Sequence, residues 1–264
     1  MRTSERVGLV TGAGQGIGRA IALRLARDGV WIGVCDLNAE TAWSVAGEIE
    51  ASGGGAAAVV GDISRDAARI VAEVEERLGG LAILVNNAGA WHKSMVQDMS
   101  EADWRRVIDV NLNGVFAMSR AALPSLRKDG HGRIINIAST AAIRIGYASG
   151  ACYTASKAAI LGLTRHLAYE TARDGITVNA ICPGTTLTAV IAKESEAERR
   201  ERLKSIPTGR FPTPEDHAEL AAFLASGAAS SITGQAIVVD AGASLGWTDF
   251  DTYLSVMGKG PVLQ

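Results

Sequence analysis

A tyrosine and a lysine stand four positions apart in "YTASK" (153–157). On a helix such residues share a face, so an ammonium would lie beside a phenol. An acid–base pair needs that arrangement, because a nearby positive charge favours the phenolate. Two solvated side chains on one helix face look the same. The spacing by itself decides nothing; what decides is the chemistry the rest of the chain sets around Tyr153 and Lys157.

A second signal is "TGAGQGIG" (11–18). Glycines let the chain turn tightly and let a phosphate approach the backbone, and a helix N-terminus adds unpaired N–H groups and a positive dipole end. The stretch lies between an apolar run, "VGLVTG" (7–12), and "IGRAIALRLARDG" (17–29), whose apolar residues recur at helical spacing. In that strand–turn–helix context a glycine pattern points to dinucleotide binding. Asp36 ends the next apolar run. A carboxylate there accepts hydrogen bonds from both ribose hydroxyls of an adenosine and repels a 2′-phosphate. Gln15, Leu37 and Asn38 add no positive charge nearby. The pattern favours NAD over NADP, against the alternative that Asp36 only caps a helix.

The elements that must position these residues follow from short apolar runs alternating with longer helical patterns. Strands are expected at 7–12, 31–36, 56–62, 81–89, 132–139, 176–184 and 235–242. Helices are expected at 17–29, 39–52, 64–78, 100–128, 152–173, 189–204 and 214–226. Strands that are apolar throughout are buried on both faces, with helices as covers. The expectation is a single-domain α/β fold over residues 1–264, a Rossmann-type doubly wound parallel sheet of about seven strands with helices on both faces. Residues from about 247 to the C-terminus extend beyond the last strand.

Composition excludes several function classes. The 264 residues carry a formal net charge of −2, with 47% hydrophobic and 20% charged residues, so no basic surface points to nucleic acid. The mixed-sign run "KESEAERRER" (193–202) reads as a solvated helix face. Cys35, Cys152 and Cys182 show no metal-ligand spacing and no disulfide framework, which suits a reducing compartment. No signal-peptide pattern opens the chain and no apolar run spans a membrane. A cytoplasmic protein is expected, without metal.

With these residues placed, the sequence resembles the short-chain dehydrogenase/reductase family over residues 6 to about 246. "TGAGQGIG" matches the family's TGxxxGxG, Asp62 in "GD" its adenine-holding aspartate, and "NNAG" (86–89) matches in full. Asn111 falls at the helix asparagine, "NIAS" ends at the family serine, Ser139, "YTASK" supplies YxxxK, and "CPGTTLT" (182–188) matches the segment bordering the nicotinamide. The resemblance implies hydride exchange between a nicotinamide and an alcohol or ketone. It implies Tyr153 as general acid or base, Lys157 lowering its pKa and holding the nicotinamide ribose, Ser139 on the substrate oxygen, and Asn111 holding a water beside Lys157. The implied cofactor-binding set is Gly12, Gln15, Gly16, Ile17, Gly18, Asp36, Leu37, Asp62, Ile63, Asn87, Ala88, Gly89, Tyr153, Lys157, Pro183, Gly184, Thr186 and Thr188. Two departures stand out. Ser139 and Tyr153 are one residue further apart than is commonest, and the usual second serine is Ala138.

Substrate contacts are expected from Trp91, Arg144, Tyr147, Cys152 and Thr185, with 185–207 as a lid. Trp91 suggests an apolar wall and Arg144 a partner for an anionic substrate. Helices 100–128 and 152–173 are Ala- and Leu-rich on more faces than one, and in the family such helices pack against another subunit, so a homotetramer is expected. The resulting reading is an NAD-dependent alcohol dehydrogenase for a secondary alcohol or its ketone. Its rivals are an NADPH-dependent 3-oxoacyl reductase and a non-catalytic dinucleotide sensor.

Overall fold

The structure, a computed structural model, describes residues 6–145, 149–246 and 248–260. Seven parallel strands form one sheet in the order β3-β2-β1-β4-β5-β6-β7. They are β1 (Val7–Thr11), β2 (Trp31–Asp36), β3 (Ala56–Val60), β4 (Leu81–Asn86), β5 (Arg133–Ile137), β6 (Thr177–Pro183) and β7 (Ala236–Val239). The helices are α1 (Gly16–Arg27), α2 (Ala39–Ala51), α3 (Ala67–Leu78), α4 (Glu101–Ile108), α5 (Val115–Asp129), α6 (Gly150–Thr171), α7 (Ala189–Ala192), α8 (Glu196–Leu203), α9 (Pro214–Ala225) and α10 (Phe250–Val256). The fold class read from the periodicity is the one observed.

Alternate strand residues feed two cores. Val10, Ile32, Val34, Ile83 and Ile135 pack with Ile21 and Leu25 of α1, Ile49 of α2 and Leu224 of α9. Leu9, Val59, Leu84 and Ile134 pack with Ile70 and Val74 of α3, Met118 and Leu126 of α5 and Leu167 of α6. Both faces of the sheet are therefore covered, as all-parallel sheets require. Strand order reverses between β1 and β4, so the crevice at their C-terminal ends is the switch point where such sheets take ligands.

Local chemistry explains most helix boundaries. Thr213 accepts from Asp216 N–H while the Asp216 side chain answers back, and Pro214 opens α9. Ser195 and Glu198 form the same reciprocal cap on α8. Two long patterns divide. The expected helix at 189–204 splits into α7 and α8. The expected helix at 100–128 is interrupted by a π-helical segment, Asp109–Gly114, between α4 and α5. The C-terminal extension contributes α10, whose Phe250 N–H donates to Lys204 O at 2.8 Å.

Candidate active site

The glycine turn is built as its spacing implied. Gly12 stands at φ 61°, and a Cβ there would come within 2.8 Å of Ala88 Cα; a Cβ on Gly18 would collide with the Gly12 carbonyl. Gly16, at φ 55°, faces open space, its nearest neighbour being Thr188 Cγ2 at 4.0 Å. Gln15 makes no side-chain cap on α1, and the first turn holds no acidic residue. The first N–H groups of α1 are thus presented to a cleft with no internal anion to satisfy them. This cradle fits a dinucleotide pyrophosphate.

Asn87 ties the turn to the strand ends. Its Nδ2 donates to Thr11 O and Gly12 O, both at 2.9 Å, and its own N–H donates to Thr11 Oγ1 at 3.0 Å. Asp36 accepts from Gly14 N–H at 2.9 Å through Oδ2 and from Asn38 N–H at 3.0 Å through Oδ1. Its carboxylate is therefore aimed by two backbone groups, and the helix cap falls to Asn38. Asp62 Oδ1 is held by Ser64. A cavity of about 470 Å³ is lined by Gly12, Gln15, Asp36, Leu37, Asp62, Ile63, Asn87, Ala88 and Gly89. Arg106 and Val110 also line it; neither carries a local sequence signal, because they reach the cleft from α4 and the π segment.

A second cavity, about 400 Å³, shares Asn87, Gly89 and Ala90 with the first. Its wall carries Ile17, Trp91, Ser139, Tyr153, Lys157, Pro183, Gly184, Thr186 and Thr188. Ser139 follows β5, and Tyr153 and Lys157 lie one turn apart on α6. Ser139 Oγ accepts from Ala141 N–H at 3.1 Å, which leaves its own proton for the Tyr153 oxygen; that hydrogen bond favours the phenolate, while burial, the larger effect, pushes the phenol pKa up. Lys157 is buried, its Nζ donating to Ile137 O at 2.7 Å and standing 5.6 Å from the centre of the Tyr153 ring. Burial lowers its pKa to about 8.

Asn111 is fully buried inside the π segment. Its Oδ1 accepts from Ala90 N–H at 2.7 Å, and its Nδ2 donates to Ala90 O at 2.9 Å and Ser156 Oγ at 3.0 Å. The amide thus clamps the loop after β4 onto α6. It grips protein atoms on each side, so its bearing on Lys157 runs through the loop. A Cβ on Gly89 would lie 3.4 Å from Asn111 Oδ1 and 3.7 Å from Lys157 Nζ.

The substrate candidates divide. Trp91 lines the catalytic cavity. Arg144, Cys152 and Thr185 do not. Arg144 Nη1 donates to Ala243 O at 2.9 Å, turned onto the chain after β7 instead of the cavity. Cys152 is fully buried, with its thiol on His92 O at 3.7 Å. Thr185 is exposed. Tyr147 lies outside the described residues. Ile137 and Ala138 line the cavity and were not foreseen; their strand-end position was the available signal. A larger open cleft, about 720 Å³ between α8 and α10, contains none of these residues.

Comparison with known proteins agrees with this geometry. A family model described as Enoyl-(Acyl carrier protein) reductase matches residues 12–244. Cyclohexanol dehydrogenase of an Acinetobacter strain is 41% identical, over 90% of this chain and 94% of that protein. A 3-oxoacyl-[acyl-carrier-protein] reductase of Thermotoga maritima is 38% identical, over 92% and 99% respectively. Among solved structures, the 3-oxoacyl-[acyl-carrier protein] reductase of Brucella melitensis superposes with a TM-score of 0.86 at 36% identity, covering 90% of this chain and 91% of that one. A Beutenbergia cavernae chain assigned as an NAD(P) dependent gluconate 5-dehydrogenase, with NADP bound at low occupancy, gives 0.85 at 40% identity, covering 92% and 98%. A glycine cradle at the switch point, a serine, tyrosine and lysine converging beside it, and matches spanning nearly the whole chain lead to one conclusion: this protein belongs to the short-chain dehydrogenase/reductase family.

Proposed function

We propose that this oxidoreductase uses NAD to interconvert a secondary alcohol and its ketone. The family binds a nicotinamide cofactor and acts on small molecules; the choice of NAD and of a secondary alcohol is our reading. The carrying observation is the convergence of Ser139, Tyr153 and buried Lys157 on one cavity wall next to the glycine turn. Asp36 supports NAD, because its fixed carboxylate would repel a 2′-phosphate.

When bound, the nicotinamide supplies hydride transfer to or from the carbinol carbon. The chain's own residues handle the oxygen and its proton. Ser139 and Tyr153 hydroxyls hold the substrate oxygen, and Ser139 steadies the charge that develops on it. Tyr153 Oη takes the proton during oxidation and returns it during reduction. Lys157, when protonated, favours the Tyr153 phenolate by its positive charge, against the rise that burial imposes. Asn111 is a positioning residue, fixing Ala90 and Ser156 around the lysine. Lys157 is the one charged side chain among the described residues lining this cavity, which favours a substrate uncharged near its carbinol, against Trp91. The working assembly is a homotetramer.

The test is production of reduced nicotinamide, followed by its absorbance, over a panel of secondary alcohols with NAD and NADP in parallel. Turnover with NAD, reduced at least about 100-fold in Tyr153→Phe, is expected. A preference for NADP with 3-oxoacyl thioesters would replace this reading with the acyl-reductase one. Tight dinucleotide binding without turnover across the panel would favour a sensor.

A further inference from the structure

His217 sits on α9 with no accessible surface, on a helix whose Ala218, Ala221, Leu224 and Ala225 are also buried. Its Nε2 lies 2.8 Å from Thr186 Oγ1. The Thr186 hydroxyl also lies 3.1 Å from Gly184 O, a group that can only accept. The threonine proton therefore goes to Gly184, and His217 must bring its own, as the Nε2–H tautomer. Its Nδ1 is then a bare acceptor with no partner among the described residues. The opposite tautomer would bury an unsatisfied N–H in the same place.

An apolar residue would fill this position without desolvating a polar ring, and burying polar groups is destabilising unless they are satisfied. What the imidazole holds is the loop between β6 and α7. Gly184 N–H donates to Val239 O at 3.0 Å and Leu187 N–H to Pro212 O at 2.8 Å. Those backbone bonds flank Thr186, and His217 grips the side chain between them. Thr186 is itself buried and lines the catalytic cavity with Pro183, Gly184 and Thr188.

We propose that His217 is a positioning residue for dinucleotide binding. From outside the cavity it donates to Thr186 Oγ1 and fixes the wall formed by residues 183–188. This rests on the reading of that cavity as the nicotinamide end of the cofactor site.

The test is a fluorescence titration with NAD and, separately, with NADP. It compares the native chain with His217→Leu, His217→Gln, Thr186→Val and the Leu/Val double variant, alongside thermal melting of each without dinucleotide. His217→Leu should melt at or above the native temperature, because a half-satisfied polar group is removed. It should bind dinucleotide about three- to tenfold more weakly, the worth of one hydrogen bond. Glutamine, whose amide N–H can reach the same acceptor, should restore binding to within about twofold. Adding His217→Leu to Thr186→Val should weaken binding no further, since the contact is already gone. Unchanged binding in His217→Leu, or weakening that merely follows lowered melting temperature across the set, would overturn the role given to His217. A native chain that binds neither dinucleotide would overturn the cavity reading, and this inference with it.

Discussion

Lys157 is buried and Tyr153 half-buried in the cavity wall, and desolvation opposes charge on each. The lysine pKa falls to about 8 and that of the tyrosine rises above its usual value. The consequence for folding has a sign. Between about pH 8 and the unfolded lysine value near 10.4, the unfolded chain binds more protons than the folded one, so stability rises with pH. Above about pH 10 the folded chain retains the tyrosine proton longer, and stability falls again. Urea midpoints measured from pH 7 to 11 should therefore rise from about 8 to 10 in the native chain relative to Lys157→Met; parallel curves would contradict a lysine buried this way. His217, with its pKa lowered to about 4 by burial, acts at the acid end. Its charging opposes folding as pH falls from about 6.5 towards 4, by roughly 3 kcal/mol in full. His217→Leu should hold its melting temperature further into acid than the native chain. At Asp36, replacement by serine should weaken NAD binding and raise the NADP-to-NAD preference at least about tenfold in kcat/KM. A preference left where it was would remove Asp36 as the discriminator.

Helix 100–128 shows what periodicity can and cannot reveal. Its helical character was legible. The π segment Asp109–Gly114 was not, because one extra residue in a turn leaves composition unchanged. The interruption shifts the phase of α5 against α4, so one apolar stripe reads as several. Apolar residues on more than one face of this stretch can therefore arise from a source besides subunit contact. The segment buries Asn111, and Asn111→Ala would leave the Ala90 N–H and C=O and the Ser156 hydroxyl without that partner. Loss of a buried network of this kind should lower stability by on the order of 3 kcal/mol, measured by chemical denaturation with dinucleotide absent. After β7, Ala241 stands at φ 56°, a conformation that is strained with a Cβ. Ala241→Gly should be neutral or stabilising by up to about 1 kcal/mol, since relief of strain exceeds the entropy of glycine only slightly.

Across the whole molecule, layers and strand order follow from apolar runs, which state burial directly, and from the glycine turn, which marks the first crossover. Ser139, Tyr153, Lys157 and the glycines were legible because each sits at the end or on the face of a regular element. The substrate side was not, since loop side chains can turn either way: Arg144 went to Ala243 O and Cys152 into the interior. The proposed homotetramer belongs to this scale too. Phe116 and Tyr169 remain exposed on α5 and α6 of the single chain. Sedimentation should give a mass near four times the 27.5 kDa of one chain, and Phe116→Glu should reduce it; a native mass of one chain would overturn the assembly. The π segment also carries a consequence for inheritance. A gene shortened by one codon between 109 and 114 would remove the extra residue of that turn and let α4 and α5 run on as one regular helix, their outer faces nearly as before but the bulge gone. α5 would keep its seat on the sheet, but the widened turn that carries Asn111 to Ala90 and Ser156 would be lost, and no substitution elsewhere would rebuild it. Point changes along the solvent side of α4 are tolerable variation; a lost codon a few positions later is not.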